Sequence, residues 1–202
     1  MTRGLGTTFD AYAPFERELA GLEAGVLLDR FRTAVDRLDP RVFSLDDEQL
    51  DMAFLGDAGV GKWPIRVVLG HLAETEVVQT HRIRRALAED RPVVQTWDEQ
   101  AFVDSGIYGG GIGATFGGGA IRPPVGAFVA AVHTLRQWTA STLELVPEGA
   151  WERVAMHPEF GELSVRAMVC FEVWHFEHHA RFVNAKVSRL LGGEPGAGRG
   201  EE

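Results

Sequence analysis

The chain has 202 residues, of which 45% are hydrophobic and 24% are charged, which is typical of a globular protein with one sizeable core. The net charge of -9 argues against binding to nucleic acid or to an anionic membrane surface, because both need clustered Lys and Arg. No apolar run reaches the length of about 18 residues that spans a membrane, and residues 1–13 lack the apolar core of a signal peptide. We therefore expect a cytoplasmic protein with neither a nucleic-acid partner nor a membrane partner.

Four stretches of the chain repeat apolar side chains at the three- and four-residue spacing that is typical of amphipathic helices, although the first also has a five-residue step after the apolar Val26. These predicted helices cover residues 14–38, 64–89, 123–145 and 163–191. Shorter helical turns are predicted near residues 46–52 and 98–104, and no stretch shows convincing strand alternation. The pattern predicts an all-α four-helix bundle, in one domain over residues 1–191. The Gly-rich, acidic residues 192–202 are predicted to be a disordered tail.

A long Gly-rich connection separates the second predicted helix from the third. Residues 108–119 contain seven glycines, but the stretch has no Gly-Lys-Ser/Thr ending and no strand leads into it, so it is not a nucleotide-binding loop. Two interpretations stay open. The stretch is either a flexible surface excursion or a mobile lid over a site, since long loops in compact domains are often functional.

Three histidines are predicted to face the interior of the bundle. His71 shares one face of the second helix with apolar side chains, and His175 and His179 lie four residues apart on the apolar stripe of the last helix. A single inward histidine is usually a core residue bonded to a carbonyl, but burying several imidazoles without partners is unfavourable. Three inward imidazoles with no fourth protein ligand indicate an open metal site, which suits zinc, nickel, iron or manganese.

Other polar residues lie near these histidines in the predicted helices. Glu74, Glu172 and His178 are close enough in sequence to orient the rings, and Glu74 or His178 can also act as a proton shuttle. Arg82 lies on the line of His71 but about 16 Å further along the helix, where it can bind substrate at the mouth of a pocket. The only cysteine, Cys170, is mid-helix among apolar residues, which favours a buried filler over a nucleophile.

Several motifs resemble the DinB/YfiT-like metal-binding four-helix bundles over roughly residues 50–183. The most specific of them is Trp174-His175-Phe176-Glu177-His178-His179. The resemblance is also carried by Leu50-Asp51, by Trp63-Pro64-Ile65-Arg66-Val67-Val68 leading to His71, by Arg82 to Asp90 with Pro92, and by His157-Pro158-Glu159-Phe160-Gly161. The closest branch is the YfiT-like one, which comprises metal-dependent hydrolases and bacillithiol S-transferases.

The resemblance implies a ligand set, a metal and an assembly. The family's three metal ligands map onto His71, His175 and His179, and the family binds nickel or zinc in an open site and commonly forms homodimers. The chain departs from the branch after His71, where relatives carry an Asp, Ser, His run and then an Asn. The corresponding residues here are Glu74, Thr75, Glu76 and Val78. These changes leave the metal ligands intact and alter the surroundings of the substrate.

Three functions follow as hypotheses. The first, which we expect over the other two, is an enzyme that uses the metal to convert a low-molecular-weight thiol cosubstrate into a thiolate and transfers it to a small electrophilic substrate. The second is a metal-dependent hydrolase with a metal-bound hydroxide as the nucleophile. The third, of another class, is a non-catalytic bundle that binds a metal or a small ligand. The open site favours an enzyme over the third hypothesis.

Overall fold

The computed structural model describes residues 18–19, 21–109 and 122–192. Most of these residues are helical, and the only strands among them form one short hairpin. The helices are α1 (Ala24–Arg32), α2 (Asp47–Leu50), α3 (Ile65–Ala88), α4 (Glu99–Asp104), α5 (Val125–Leu145) and α6 (Val165–Leu191), and the strands are β1 (Val154–His157) and β2 (Gly161–Ser164). None of the helices in the described part of the chain has the length and apolar character that crossing a membrane requires.

The three long helices predicted after residue 60 are confirmed, and their ends agree with α3, α5 and α6 to within two residues. The first predicted helix is wrong in extent. Of the described residues within 14–38, residues 18–19 and Ala24–Arg32 are α-helical, residues 21–23 interrupt the helix, and a 3-10 helix follows at Ala34–Arg37. Gly21 lies in a turn before α1, and Val26, which the longer helix was expected to bury, is 55% exposed. The apolar spacing in this stretch includes five-residue steps, which do not stay on one helical face.

The expected absence of strands is wrong at residues 154–164. Strands β1 and β2 pair antiparallel, with Val154 opposite Ser164 and His157 opposite Gly161. Gly161 has a φ of 73°, a conformation that favours glycine at the end of the turn. The Val165 backbone N–H donates to the Arg153 carbonyl at 2.9 Å, so the hairpin leads directly into the first residue of α6. Strands of four residues are too short for their alternation to be recognised in the sequence.

One compact unit of the structure comprises residues up to 34 together with 76–97 and 133–176. Its core is apolar and includes side chains from α1, α3, α5, the hairpin and α6. Fully burying one aliphatic or aromatic side chain contributes roughly 1.5–3 kcal/mol before chain entropy is subtracted. The largest members of this cluster include Phe31, Ile83, Leu143, Trp151, Met168 and Trp174.

The second compact unit comprises residues 35–75, 98–132 and those from 177 onward. Helix α2 begins with a capping box, in which the Asp46 side chain accepts from the Gln49 N–H and the Gln49 side chain accepts from the Asp46 N–H. The predicted turns at residues 46–52 and 98–104 are both helical in the structure, as α2 and α4. In the same unit, Lys186 Nζ donates to the Val60 carbonyl, and this lysine is fully buried.

Two predicted segments fall outside the described residues. Of the Gly-rich residues 108–119, the structure describes only 108 and 109, so both interpretations of that stretch stay predictions. The predicted disordered tail is described only at Gly192. The prediction of one domain over residues 1–191 also stays a prediction.

Candidate metal centre

The three histidines predicted as ligands are brought together in the structure. His71 lies on α3, and His175 and His179 lie one turn apart on α6. One ring nitrogen from each of the three lies within 4.8 Å of the other two. A zinc ion at about 2.1 Å from each nitrogen needs nitrogens about 3.4 Å apart. Small rotations of the side chains can provide this contraction.

Local sequence explains why these side chains point inward. Helix α3 buries an apolar stripe that includes Val67, Val68 and Leu72, and His71 on the same helix is only 1% exposed. On α6 the four-residue spacing of His175 and His179 places both rings on one face, because four residues turn the helix by about 400°. His175 is buried and His179 is half-buried, so the site opens toward His179.

Aromatic rings restrain the imidazoles. The Trp63 ring stacks parallel to His179 at 6.2 Å and meets the edge of His71 at 5.2 Å. The Phe171 ring stacks on His175 at 5.2 Å. The His71 and His179 rings are themselves 5.0 Å apart at an angle of 70°. Packing on several sides therefore limits the rings at the candidate centre to small rotations.

Burial keeps the imidazoles of His71 and His179 neutral. It lowers the pKa of His71 to about 4. It also lowers the pKa of His179 to about 3, to which the positive charges of His71, His178 and Lys186 add. At neutral pH both rings are therefore uncharged, which is the form that binds a metal. Three neutral nitrogen donors suit the borderline ions zinc and nickel, so the donor set fits the ion that the sequence predicts.

Glu74 and His178, the predicted proton shuttles, are both half-buried. Glu74 lies one turn after His71 on α3, and burial raises the pKa of its carboxyl. The His178 ring packs edge-on against His179 at 5.3 Å and against Phe182 at 5.0 Å. Burial and the charge of Arg181 lower the pKa of His178. Both proton-shuttle roles stay predictions.

The Arg82 guanidinium, predicted to bind substrate, is buried. Its Nη2 donates to the Gln95 carbonyl at 2.6 Å, and burial lowers its pKa. Cys170 was predicted to be a buried filler and is buried, whereas His81 on the same helix as Arg82 is exposed.

Glu172, predicted to orient a histidine, instead faces Arg136. Arg136 Nη2 donates to the Glu172 carbonyl at 2.9 Å and to its carboxylate at 3.3 Å, and Arg136 Nε donates to Glu76 at 2.6 Å. We call Arg136, Glu76 and Glu172 the arginine cluster, and each is 1% exposed. Burial raises the pKa of both carboxyls, and the neighbouring Glu76 raises that of Glu172 further. Sequence reasoning missed this cluster; the available signal was Arg136 one turn after the buried Val132 on α5.

Comparisons with known proteins agree with this architecture. The profile of the DinB superfamily matches residues 29–183. Two proteins of Oceanobacillus iheyensis named "putative metal-dependent hydrolase" are 24% and 25% identical to this chain, covering 87% and 82% of it and 92% and 86% of their own lengths. A protein of the same name from Bacillus licheniformis is 28% identical and covers 72% of this chain and 74% of its own length.

A solved structure shows the same fold. YfiT from Bacillus subtilis is described as a probable metal-dependent hydrolase with an unusual four-helix bundle topology. It superposes with a TM-score of 0.69 at 19% identity, covering 85% of this chain and 91% of its own. The predicted four-helix bundle is thereby confirmed.

Proposed function

The chain belongs to the DinB superfamily, and we propose that it is a divalent-metal-dependent enzyme whose reaction centre is formed by His71, His175 and His179. The observation that carries the proposal is the convergence of one nitrogen from each of these rings to within 4.8 Å. Three protein ligands leave coordination positions open to substrate, whereas structural zinc sites usually have four. Zinc and nickel are the ions that this donor set suits best, with iron and manganese as less suited alternatives.

The chain's own residues define what the centre can do. A divalent ion held by three neutral imidazoles supplies Lewis acidity to an oxygen or sulfur atom of the substrate. Trp63 and Phe171 pack against the ring faces of His179 and His175 and so restrain the two imidazoles. Glu74, with a carboxyl whose pKa is raised by burial, accepts the proton that the nucleophile loses.

Hydrolysis is the first candidate reaction. It is supported by the names of the relatives in Oceanobacillus and Bacillus, each called a metal-dependent hydrolase. It is also supported by Glu74, which lies one helical turn from His71 and can accept a proton from water. The substrate class would be a small ester or amide.

Transfer of a low-molecular-weight thiol is the second candidate, and the neutral ligand set favours it. An ion held by three uncharged imidazoles would keep its full positive charge and would favour the thiolate form of a thiol. Cys170 is buried in the apolar core around α6, so it is not available as the attacking sulfur. The thiol in this reaction would be a diffusible cosubstrate, and the acceptor would be a small electrophile.

The test begins with protein purified without a histidine tag. Elemental analysis should find one divalent ion per chain, and His71→Ala should abolish it. His81→Ala is the matched control, because His81 lies on the same helix and is exposed. Metal-loaded and metal-free protein are then compared on chromogenic esters and amides, and on bacillithiol, mycothiol, glutathione and coenzyme A with a model electrophile.

Each outcome has a defined meaning. Metal-dependent ester or amide cleavage supports hydrolysis, and metal-dependent conjugation supports thiol transfer. A bound metal with neither activity favours a non-catalytic metal-binding bundle. Unchanged metal content in His71→Ala contradicts the assignment of the centre. The homodimer implied by the family is a separate proposal, which sedimentation of the purified protein tests.

A further inference from the structure

The Tyr108 side chain packs against α3 at Gly70, the residue next to His71. A Cβ placed on Gly70 would be 2.6 Å from the Tyr108 Cβ and 2.8 Å from two atoms of its ring. Such distances are too short for any side chain, so Gly70 is required for Tyr108 to occupy this position. The Phe102 ring packs against Tyr108 at 6.4 Å. The tyrosine is therefore held against the part of α3 that carries a candidate metal ligand.

The Tyr108 hydroxyl is buried without a hydrogen-bond partner. The side chain is 3% exposed, and no donor or acceptor within residues 18–19, 21–109 and 122–192 bonds to the hydroxyl. Buried tyrosine hydroxyls normally have a partner, because leaving one unsatisfied is unfavourable. A phenylalanine at this position would avoid that penalty while filling nearly the same volume. The hydroxyl therefore destabilises the protein unless a bound molecule accepts its hydrogen bond.

Electrostatics keep this hydroxyl protonated. Burial raises the pKa of Tyr108 above its ordinary value, and the carboxyls of Glu74 and Glu99 raise it further. Glu74 is one helical turn after both Gly70 and His71 on α3. A proton acceptor and a phenolic donor are thus present beside the same turn of the helix. Glu74 is placed to accept a proton, and Tyr108 is placed to donate a hydrogen bond.

We propose that the Tyr108 hydroxyl donates a hydrogen bond to an oxygen atom of the substrate bound at the three-histidine centre. This assignment rests on the proposed function and adds a substrate-binding residue to it. It indicates a substrate with a carbonyl or carboxylate-like oxygen beside the reacting atom. A donor in this position stabilises negative charge that develops on the oxygen during the reaction.

The test compares Tyr108→Phe with Thr139→Val. Thr139 Oγ1 is also buried and without a partner in the described part of the chain, and Thr139 has no place in the proposed centre. Both variants remove one unsatisfied buried hydroxyl, so both should match or exceed the parent in melting temperature. Both should retain the parent's zinc content. Acetohydroxamate, which presents an anionic oxygen and a carbonyl oxygen to a bound metal, serves as the probe.

The two variants should differ in binding the probe. Calorimetric titration of the zinc-loaded proteins should show that Tyr108→Phe binds acetohydroxamate about tenfold more weakly than the parent does. This is the effect expected from the loss of one hydrogen bond to a charged group. Thr139→Val should bind it like the parent. With an ester or conjugation substrate identified as above, kcat should fall about 100-fold in Tyr108→Phe alone.

Several results would overturn the assignment. Equal acetohydroxamate affinity in Tyr108→Phe and the parent, or no binding to the zinc-loaded parent, would overturn it and leave the metal centre intact. A clear fall in the melting temperature of Tyr108→Phe would show that the hydroxyl has a structural partner, and would also overturn it. Absence of zinc from the parent would instead overturn the proposed function, and this assignment with it.

Discussion

Two sets of buried ionisable side chains in this protein have opposite chemistry. The arginine cluster contains one guanidinium and two carboxyls, which neutralise and bond one another. The three-histidine centre contains three groups of the same kind, whose charged forms would repel one another. Burial acts on both sets, but only the arginine cluster carries its own counter-charge.

This difference distinguishes a structural group from a binding group. A buried set that carries its own counter-charge contributes to the fold, and its charges are already paired within the chain. A buried set of three neutral imidazoles has no such counter-charge, and it is stabilised most by a cation that the chain itself does not supply. Variants that remove one member should therefore affect mainly stability in the arginine cluster and mainly metal binding in the histidine centre.

The largest effect is expected from Arg136→Met. It leaves Glu76 and Glu172 buried without their cation, and breaking a buried ion pair on one side usually destabilises a protein by about 3–5 kcal/mol. Urea unfolding of the metal-free protein should show this loss in the free energy of unfolding. Arg91→Met is the matched control, because the Arg91–Glu162 pair is more than half exposed, and it should leave the urea midpoint nearly unchanged. Equal loss in the two variants would contradict a structural role for the arginine cluster.

The second effect concerns stabilisation by metal. The double variant His71→Ala, His175→Ala should lose its bound ion and gain no stability from added zinc. Zinc at 100 times its Kd should stabilise the parent by about 2.7 kcal/mol, measured by thermal unfolding with and without the ion. His81→Ala, His133→Ala is the control, since both of these histidines are exposed. Equal stabilisation by zinc in both double variants would contradict the assignment of His71 and His175 as ligands.

The third effect is an opposite pH dependence of the two sets in metal-free protein. Burial lowers the pKa of His71 from about 6.5 unfolded to about 4, so the unfolded chain binds more protons in this window. Stability from His71 is therefore present above pH 6.5 and is lost as the pH falls toward 4. The raised pKa of Glu172 gives stability the opposite pH dependence. Above about pH 4.5 the unfolded chain releases the Glu172 proton, whereas the folded state keeps it. Stability from Glu172 therefore falls as the pH rises.

Two variants measure these slopes. The free energy of unfolding of the parent should exceed that of His71→Ala by a margin that grows from pH 4.5 to 7. Relative to Glu172→Gln, which imitates the protonated carboxyl, the parent should lose stability over pH 5 to 8. Urea titrations at several pH values give both differences. If both differences in the free energy of unfolding changed in the same direction with rising pH, the two sets would not have the opposite pH dependence described above.

The smallest effect is expected from Cys170→Ala. The side chain is a buried member of the apolar core around α6, so its truncation should cost about 1 kcal/mol, the typical effect of a point mutation. Turnover per bound metal should be unchanged, as measured with whichever substrate the assays identify. A loss of turnover at full metal content would place Cys170 in the reaction instead.

The two sets also differ in how far the sequence predicts them. His175 and His179 lie on one helix, and the helical period alone places their rings together, while the inward face of α3 selects His71. The arginine cluster joins residues that are 60 and 36 positions apart in the chain. No local period relates Arg136 to Glu76 or Glu172, so the pairing becomes visible only in the folded chain. Trp63 was placed from the sequence only in the motif before His71, because no local period relates it to His179.

The secondary structure shows the same difference between features set by a local period and features set by distant contacts. Helices α3, α5 and α6 are long enough for their apolar period to be read over several turns, and they were predicted closely. Helix α1 and the hairpin are short, and their ends depend on tertiary contacts. Arg153, at the start of β1, donates to the carbonyls of Ala86 and Glu89, which are distant in sequence. Such contacts override the weak local preferences of short segments.

The junction between the hairpin and α6 has a consequence for insertions and deletions. The bond from Val165 to Arg153 fixes the residue at which α6 starts, and each residue after it advances the helix by about 100°. One residue added between Val165 and His175 would therefore rotate both metal-binding rings away from His71, while their mutual spacing stayed intact. An extra residue in the turn at Pro158 to Phe160 would leave that angle unaffected. Changes in chain length should accordingly be tolerated before Val165 and excluded from the ten residues that follow it.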